Sequence, residues 1–338
     1  MTKVLFICKK SHYHFGYSPH HKTTGLKASA FYCSDVLNRN GIPSELVIVN
    51  DNNEIDREVT RYRPRFVIIE ALWVVPEKFE VLQKLHPDVT WIVRVHSEVP
   101  FLATEGVSID WISRYSLIKN VLIAANSDRG VDDLRTISLG YEKIIYLPNC
   151  FLFDDHEKIP PKHHKFDDIH IGCFGAIRPL KNQLIQAIAA IEFANEVGKV
   201  LTFHMNGDRV EGVGEPVKRN IQALFENASP HKVRFHPWYD HLDFLKVLAR
   251  TDIGMQVSMT ESFNHVAADS VALGLPIVVS PEIRWASFLF KADPTSSASI
   301  SDRLWFSWGV GYRLRKANFY GLRAHSRDAE RAWVDYFS

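Results

Sequence analysis

Long apolar runs are missing from this chain. None of its 338 residues belongs to a stretch approaching the ~18 consecutive apolar residues of a membrane-spanning helix. The opening MTKVLFICKK runs into an apolar stretch too short for a signal peptide, so the expected location is cytoplasmic, with no transmembrane segment. Cysteine is scarce: Cys8, Cys33, Cys150 and Cys173 stand far apart with no CxxC pairing, which argues against a zinc site or a disulfide framework and for buried, reduced thiols. No GxGxxG follows the first apolar strand, because Gly212 with Gly214 and Gly309 with Gly311 each lack a third glycine, and GxxxxGK does not occur. A dinucleotide-dependent dehydrogenase and a P-loop NTPase are thereby disfavoured. Asp-x-Asp is also missing, and with it the usual carboxylate pair for a metal-bound diphosphate.

Acidic residues are unevenly withheld. Residues 1–34 hold five lysines and no Asp or Glu, with His12, Tyr13, His14, His20 and His21 among them. Residues 303–327 hold six Arg and Lys, again without an acid, interleaved with Trp305, Trp308, Tyr312 and Tyr320. The overall charge of +1 is therefore a sum of opposites, an acidic body with basic, aromatic segments near both ends. Two solvated edges would account for it, as would one anion-binding face.

What is present is the composition of a folded chain, 46% hydrophobic and 23% charged, long enough for about two domains. Apolar, β-branched runs at Val4 to Cys8, Glu45 to Val49, Phe66 to Ile69, Trp91 to Val95 and Val121 to Ala125 alternate with helical stretches. A second alternating set follows, with strands at Ile169 to Phe174, Leu201 to Met205, Val233 to His236 and Ile253 to Val257, and helices at Pro179 to Val197, Val217 to Phe225 and Leu242 to Leu248. The expected fold class is α/β, two Rossmann-like domains facing a central cleft. The expected divisions are a first domain over 1–150, a linker over 151–168 around Pro160-Pro161, a second domain over 169–302, and a basic, aromatic segment over 303–338.

In open α/β sheets ligands bind beyond the carboxyl ends of the strands. Two such loops carry chemistry here. Gly175-Ala-Ile-Arg-Pro-Leu-Lys-Asn182 sets Arg178 and Lys181 beside a helix start, an arrangement suited to an anion. Thr260-Glu-Ser-Phe-Asn-His-Val-Ala-Ala-Asp reads as a loop entering a helix near Ser262 to Asn264, with Glu261 before the first turn and Asp269 inside it. First-turn amides favour phosphate, and carboxylates grip sugar hydroxyls. Each residue also has a plainer role open to it, as a helix-start acid or a surface cation.

The GAIRPLKN loop, the block DIGMQVSMTESFNHVAADSVALGLPIVVS and the YLPNCF run resemble, in that order, the nucleotide-sugar half of GT-B glycosyltransferases of the retaining family 4 type. The likeness covers about residues 140 to 282, and it implies that residues 1–150 form the acceptor-side domain and that the segment 303–338 returns to that domain. It implies transfer of a glycosyl group from a nucleoside diphosphate sugar, UDP foremost, to an acceptor hydroxyl, with no cofactor and no metal. Carried over by position, Arg178 and Lys181 hold the diphosphate and Glu261 contacts the transferred sugar. Gly175, Ser262, Phe263, Asn264, His265 and Val266 complete the donor pocket, and Asp269, where the family has Glu, binds the ribose. WIVRVHSEVPF is similar to the loop whose histidine approaches the sugar, which makes His96 catalytic by resemblance; a satisfied strand-end histidine is the alternative.

The chain also resembles compact phage-encoded members, including enzymes that glycosylate hydroxymethylated pyrimidines in DNA, which would place it in the host cytoplasm. Lys10, His12, Tyr13, His14, Lys22, Gly25, Trp73, Arg313 and Arg315 are the expected acceptor contacts, since cations with aromatics suit a phosphate backbone with exposed bases. A bacterial surface saccharide or lipid carrier is the competing acceptor, which leaves peripheral membrane contact open. A non-catalytic nucleotide-sugar or nucleic-acid binding protein is the reading from a different class.

Overall fold

The computed structural model describes residues 2–10, 25–160 and 168–338, in two compact units. The first comprises residues 1–152 with 326–338, the second residues 153–325. His12, Tyr13, His14 and Lys22 lie outside the described residues, as do residues 161–167 of the expected linker.

The first unit is built on strands β1 Val4–Lys9, β2 Ser44–Val49, β3 Phe66–Glu70, β4 Thr90–Val95, β5 Val121–Ala125 and β6 Ile144–Tyr146. They form one parallel sheet in the order β2-β1-β3-β4-β5-β6. Helices cover a parallel sheet on both faces, so its central strands need apolar residues at successive positions. β1 meets that demand, with Val4 to Cys8 all at 0% exposure. The last three-residue strand, β6, is too short to show a period and was not expected from the sequence.

The second unit carries β7 Ile169–Gly172, β8 Leu201–Asn206, β9 Lys232–His236, β10 Ile253–Gln256 and β11 Ile277–Val279, parallel, in the order β11-β10-β7-β8-β9. The helix Gln183–Glu196 packs Ala187, Ala190, Phe193 and Ala194 into its core beside Ile171, Phe203 and Met255. All four cysteines are buried and unpaired by disulfides.

Two elements depart from the expected outline. The helix anticipated over Pro179 to Val197 is broken: Pro179–Lys181 is a single 3-10 turn, Asn182 is left-handed at φ 60°, and the α-helix begins at Gln183. Asn182 is fixed in that conformation because its Nδ2 donates to Val257 O at 3.0 Å and Pro294 O at 2.7 Å. The C-terminal segment also divides differently. A helix over Lys316–Phe337 ends the chain, and only residues from 326 onward group with the first unit. There Trp333 is fully buried, 5.5 Å from Phe6 between ring centroids, with its Nε1 donating to Pro148 O at 2.7 Å. Arg313, Arg315, Lys316 and Arg323 belong to the second unit, where Arg315 Nε donates to Gly274 O and Arg323 stacks 5.2 Å from the Phe153 ring.

Three imidazoles cross the second sheet side by side. His170 Nδ1 meets His204 Nε2 at 2.8 Å and His204 Nδ1 meets His236 Nε2 at 2.9 Å, so each link needs one N–H donor and one bare nitrogen. Burial, aided by Arg234, pushes His236 down to about 4. In the unfolded chain the same ring takes its proton near pH ~6.5. The unfolded state therefore binds more protons between these values, and stability is lost as pH falls from about 6.5 toward 4. The melting temperature should drop between about pH 7 and pH 5, with a shallower drop in His236→Gln; identical slopes in the two proteins would contradict the assignment.

Candidate functional site

In the second unit the chain runs outward from β7 to β8 and β9, then crosses to β10 and β11 on the other side. The loops after β7 and β10 thus leave the sheet in opposite directions at the point where strand order reverses, which opens a crevice there. These are the loops that carry Gly175 to Asn182 and Val257 to Asn264.

Several contacts sew the two loops together. Gln256 Nε2 donates to Phe174 O at 2.9 Å, Met259 N to Leu180 O at 2.9 Å, and Val257 N to Gln186 Oε1 at 2.8 Å. Gly175 has φ 126°, a conformation that glycine alone adopts without strain, and its amide donates to Asn206 Oδ1 at 2.9 Å. The break at Asn182 then directs Lys181 toward the β10 loop, where its Nζ pairs with Glu261 Oε1. Lys181 and Glu261, expected separately at the diphosphate and at the sugar, are thus in direct contact although 80 residues separate them.

Asn264 organises the other side. It is left-handed at φ 68° and caps the helix His265–Ala272, its Oδ1 accepting from Ala267 N at 2.8 Å. Its Nδ2 donates to Gln256 Oε1 and Glu261 Oε1, both at 2.9 Å. Burial alone would raise the Glu261 carboxyl. The Lys181 ammonium first, then the Ser258 hydroxyl and Arg178, outweigh burial and hold it below the usual carboxylate range, so it is ionised. Arg178 lies 3.5 Å from Glu211, which Arg209 also grips. Ser262, His265 and Val266 are half-buried at the helix start, whereas Phe263 is 1% exposed, stacked on His325 and contacting Trp285 and His265. Its ring anchors the loop from within, so any part it plays at the crevice falls to its backbone.

Glycine 214 matters to this geometry in a way that no fingerprint announced. A Cβ there would stand 2.1 Å from Ile177 O, the carbonyl just before Arg178 that also accepts from Glu211 N at 3.0 Å. Gly214→Ala should therefore cost about 1–3 kcal/mol through overpacking and displace Arg178. Equilibrium urea unfolding checks it; a change below ~0.5 kcal/mol would show that the loop yields freely.

Asp269 is not open to a pocket through Oδ1. That oxygen is 2.9 Å from His156 Nε2 and 3.1 Å from His241 Nε2, and the side chain is 5% exposed. Burial would raise this carboxyl, but His241 and then His156 hold it well below its ordinary value. Neither histidine stood out in the sequence, since each follows or precedes a charged cluster that reads as solvated loop.

In the first unit the strand order reverses between β1 and β3. His96, just past β4, meets Glu70 Oε2 with its Nε2, and Glu70 ends β3. Arg94 lies behind them at 0% exposure, with Nη1 3.3 Å from both Glu70 oxygens and 3.0 Å from Ser29 Oγ, Nη2 2.6 Å from Asn149 Oδ1, and Nε 3.1 Å from Leu147 O. Burial would raise Glu70; Arg94 and His96 hold it below its ordinary value. Burial lowers His96, with Glu70 opposing it, and its Nε2 meets Glu70 Oε2. Glu70 was missed, though an acid closing the apolar run Phe66 to Ile69 is a legible signal. Trp73 is half-buried against the core of this unit, its Nε1 donating to Glu70 O at 2.9 Å, and Lys10 and Gly25 are exposed on either side of residues 11–24.

No protein-family model and no curated protein sequence matches the chain. Solved structures do. Sucrose-phosphate synthase from Thermosynechococcus elongatus superposes with a TM-score of 0.76 at 11% identity, covering 100% of this chain and 98% of the other. Anabaena HepE in complex with UDP-glucose gives 0.69 at 14% identity, covering 100% and 98%. A UDP-forming α,α-trehalose-phosphate synthase from Burkholderia xenovorans gives 0.64 at 10% identity, covering 85% and 77%. Such identities speak for architecture alone, and on that ground the fold of this chain is GT-B.

Proposed function

We propose that the protein is a glycosyltransferase that uses a nucleoside diphosphate sugar, with UDP as its nucleotide, and transfers the sugar with retention to an acceptor hydroxyl. One observation carries the reading: Arg178, Lys181, Glu261 and Asn264 converge at the strand-order reversal of the second unit. The leaving diphosphate gains negative charge as the glycosidic bond breaks, and fixed cations beside first-turn amides stabilise it without reorganising. Ionised Glu261, gripped by Lys181 and Asn264, is placed to accept from hydroxyls of the transferred sugar. A ribose contact by Asp269 would fall to Oδ2. His96 in the first unit, its Nε2 held by Glu70, is proposed as the histidine that approaches the sugar. The three structures named above are of proteins described as a sucrose-phosphate synthase, a UDP-glucose complex and a UDP-forming synthase, which supports a UDP-sugar donor.

For the acceptor, a saccharide hydroxyl is preferred to a base in DNA. The DNA reading relied on basic residues from both ends of the chain gathering on one face, whereas the structures named above include a sucrose-phosphate synthase and a trehalose-phosphate synthase, whose names point to saccharide products. Among the described residues no helix is long and apolar enough to cross a membrane.

Incubation with a panel of nucleotide sugars, followed for slow release of nucleoside diphosphate, tests the donor. Release from a UDP-sugar is expected; no release from any donor, with or without saccharide acceptors, would favour a binding protein. Duplex DNA binding at ~50 mM salt that falls steeply as salt rises would restore the DNA acceptor.

A further inference from the structure

Three side chains from separate segments of the second unit converge outside the loops just described. His156 lies on a short 3-10 turn over His156–Lys158, His241 opens the helix His241–Leu248, and Asp269 lies on the helix His265–Ala272. His156 Nε2, His241 Nε2 and a carboxylate oxygen of Asp269 all lie within 4.8 Å of one another. The two imidazole nitrogens are 2.9 and 3.1 Å from the same oxygen, Oδ1. Ligands around a four-coordinate zinc ion, each ~2.0–2.1 Å from the metal, stand roughly 3.3 Å apart. The side chains are 3%, 12% and 5% exposed, in the order His156, His241, Asp269.

We propose that His156, His241 and Asp269 form a binding site for a zinc-type divalent cation, which fastens the 153–160 segment to two helices of the second unit. The hydrogen-bond pattern accommodates a cation. His241 faces a carboxylate at each nitrogen, Asp269 at Nε2 and Asp155 Oδ2 at Nδ1, 3.3 Å away. A neutral imidazole has one N–H and can serve only one of the two, so this ring is held either as an imidazolium or as a ligand to a cation. With a cation at Nε2, a single tautomer serves both, because Nδ1–H donates to Asp155 while the bare Nε2 ligates. This is the carboxylate–histidine–metal arrangement found around such ions. Two imidazoles with one carboxylate suit zinc and its first-row neighbours rather than magnesium or calcium, which prefer oxygen. A cavity of about 150 Å³, lined by His156, Ile159, Pro160, Ala249, Ala272 and Leu273, adjoins the cluster at His156. The site does not depend on the glycosyltransferase reading, and its test reads metal rather than turnover.

The full chain is stripped with chelator and titrated with Co²⁺ and with Zn²⁺. The expected results are a visible Co²⁺ absorption band of the four-coordinate type saturating at one equivalent, displacement by Zn²⁺, and a higher melting temperature with zinc. His241→Ala and Asp269→Asn should abolish that band, which separates this cluster from binding by histidines elsewhere in the chain. Should either variant fail to fold, Asp155→Asn keeps all three ligands and should weaken affinity about 10–100-fold. A wild-type chain with no such band at millimolar Co²⁺, an unchanged band in His241→Ala, or an unchanged Co²⁺ affinity in Asp155→Asn overturns the site.

Discussion

Arg178→Ala is expected to lower turnover of the nucleotide-sugar donor on the order of 100-fold or more while leaving the folded state nearly unchanged. The two halves of that expectation come from different observations. Arg178 is 29% exposed, and its carboxylate contact, Glu211, is 3.5 Å away and held independently by Arg209 at 2.5 Å. Removing a partly exposed cation from such a pair alters stability by no more than about 1 kcal/mol. In turnover the same cation would meet charge that develops only as the diphosphate leaves, which is why its loss would appear in kcat. Lys181→Ala is the instructive contrast. Lys181 pairs with Glu261, whose side chain is 10% exposed, so its loss should damage both turnover and stability. Combining Lys181→Ala with Glu261→Gln should restore stability without restoring turnover. Steady-state kinetics with urea unfolding separates the two effects. Near-normal turnover and donor affinity in a folded Arg178→Ala protein would sink the diphosphate assignment.

The second large effect lies in the first unit. Arg94→Leu should destabilise the chain by about 3–5 kcal/mol, the usual cost of removing one member of a buried ion pair. Arg94 and Glu70 are both at 0% exposure, and the guanidinium also binds Leu147 O, Ser29 and Asn149 and stands 5.2 Å from the Trp333 ring. Without it, among the described residues, Glu70 is left with His96 against the cost of burial. The double variant Arg94→Met with Glu70→Leu should recover much of the loss, since replacing a whole buried pair by apolar groups is often nearly neutral. The same double variant deprives His96 of its acceptor, so donor turnover should stay low even where stability returns. A loss under ~1 kcal/mol for Arg94→Leu alone would mean that water reaches Glu70 and that the cluster is not closed.

How much of this was legible in the sequence depends on the range over which each feature is determined. Strand runs such as Val121–Ala125, and the loops GAIRPLKN and TESFNHVAAD at strand ends, follow from local periodicity, because a parallel strand buried on both faces must be apolar throughout. The helix begun at Asn264 was legible for the same reason, since an N-cap is a local hydrogen bond. The helix break at Asn182 was not. Its cause is a pair of carbonyls 75 and 112 residues along the chain, and without it Lys181 would continue a helix instead of reaching Glu261. Arg94 in WIVRV reads as an anomaly in a strand until Glu70, Ser29 and Asn149 appear around it.

The charge pattern divides in the same way. By itself the sequence determined two doubly wound α/β units, the identity of the loops at their strand ends, and two acid-free segments near the chain ends. Tertiary structure alone decided which charges meet. Lys181 found Glu261, Arg94 found Glu70, and Asp269 found His156 and His241, while Arg313 and Arg315 stayed with the second unit. Periodicity reports which face of a segment avoids water, and that is a property of neighbours in sequence. The partner of a buried charge is set by desolvation, which makes any arrangement leaving it unpaired too costly. That cost is settled only when distant segments have closed around it.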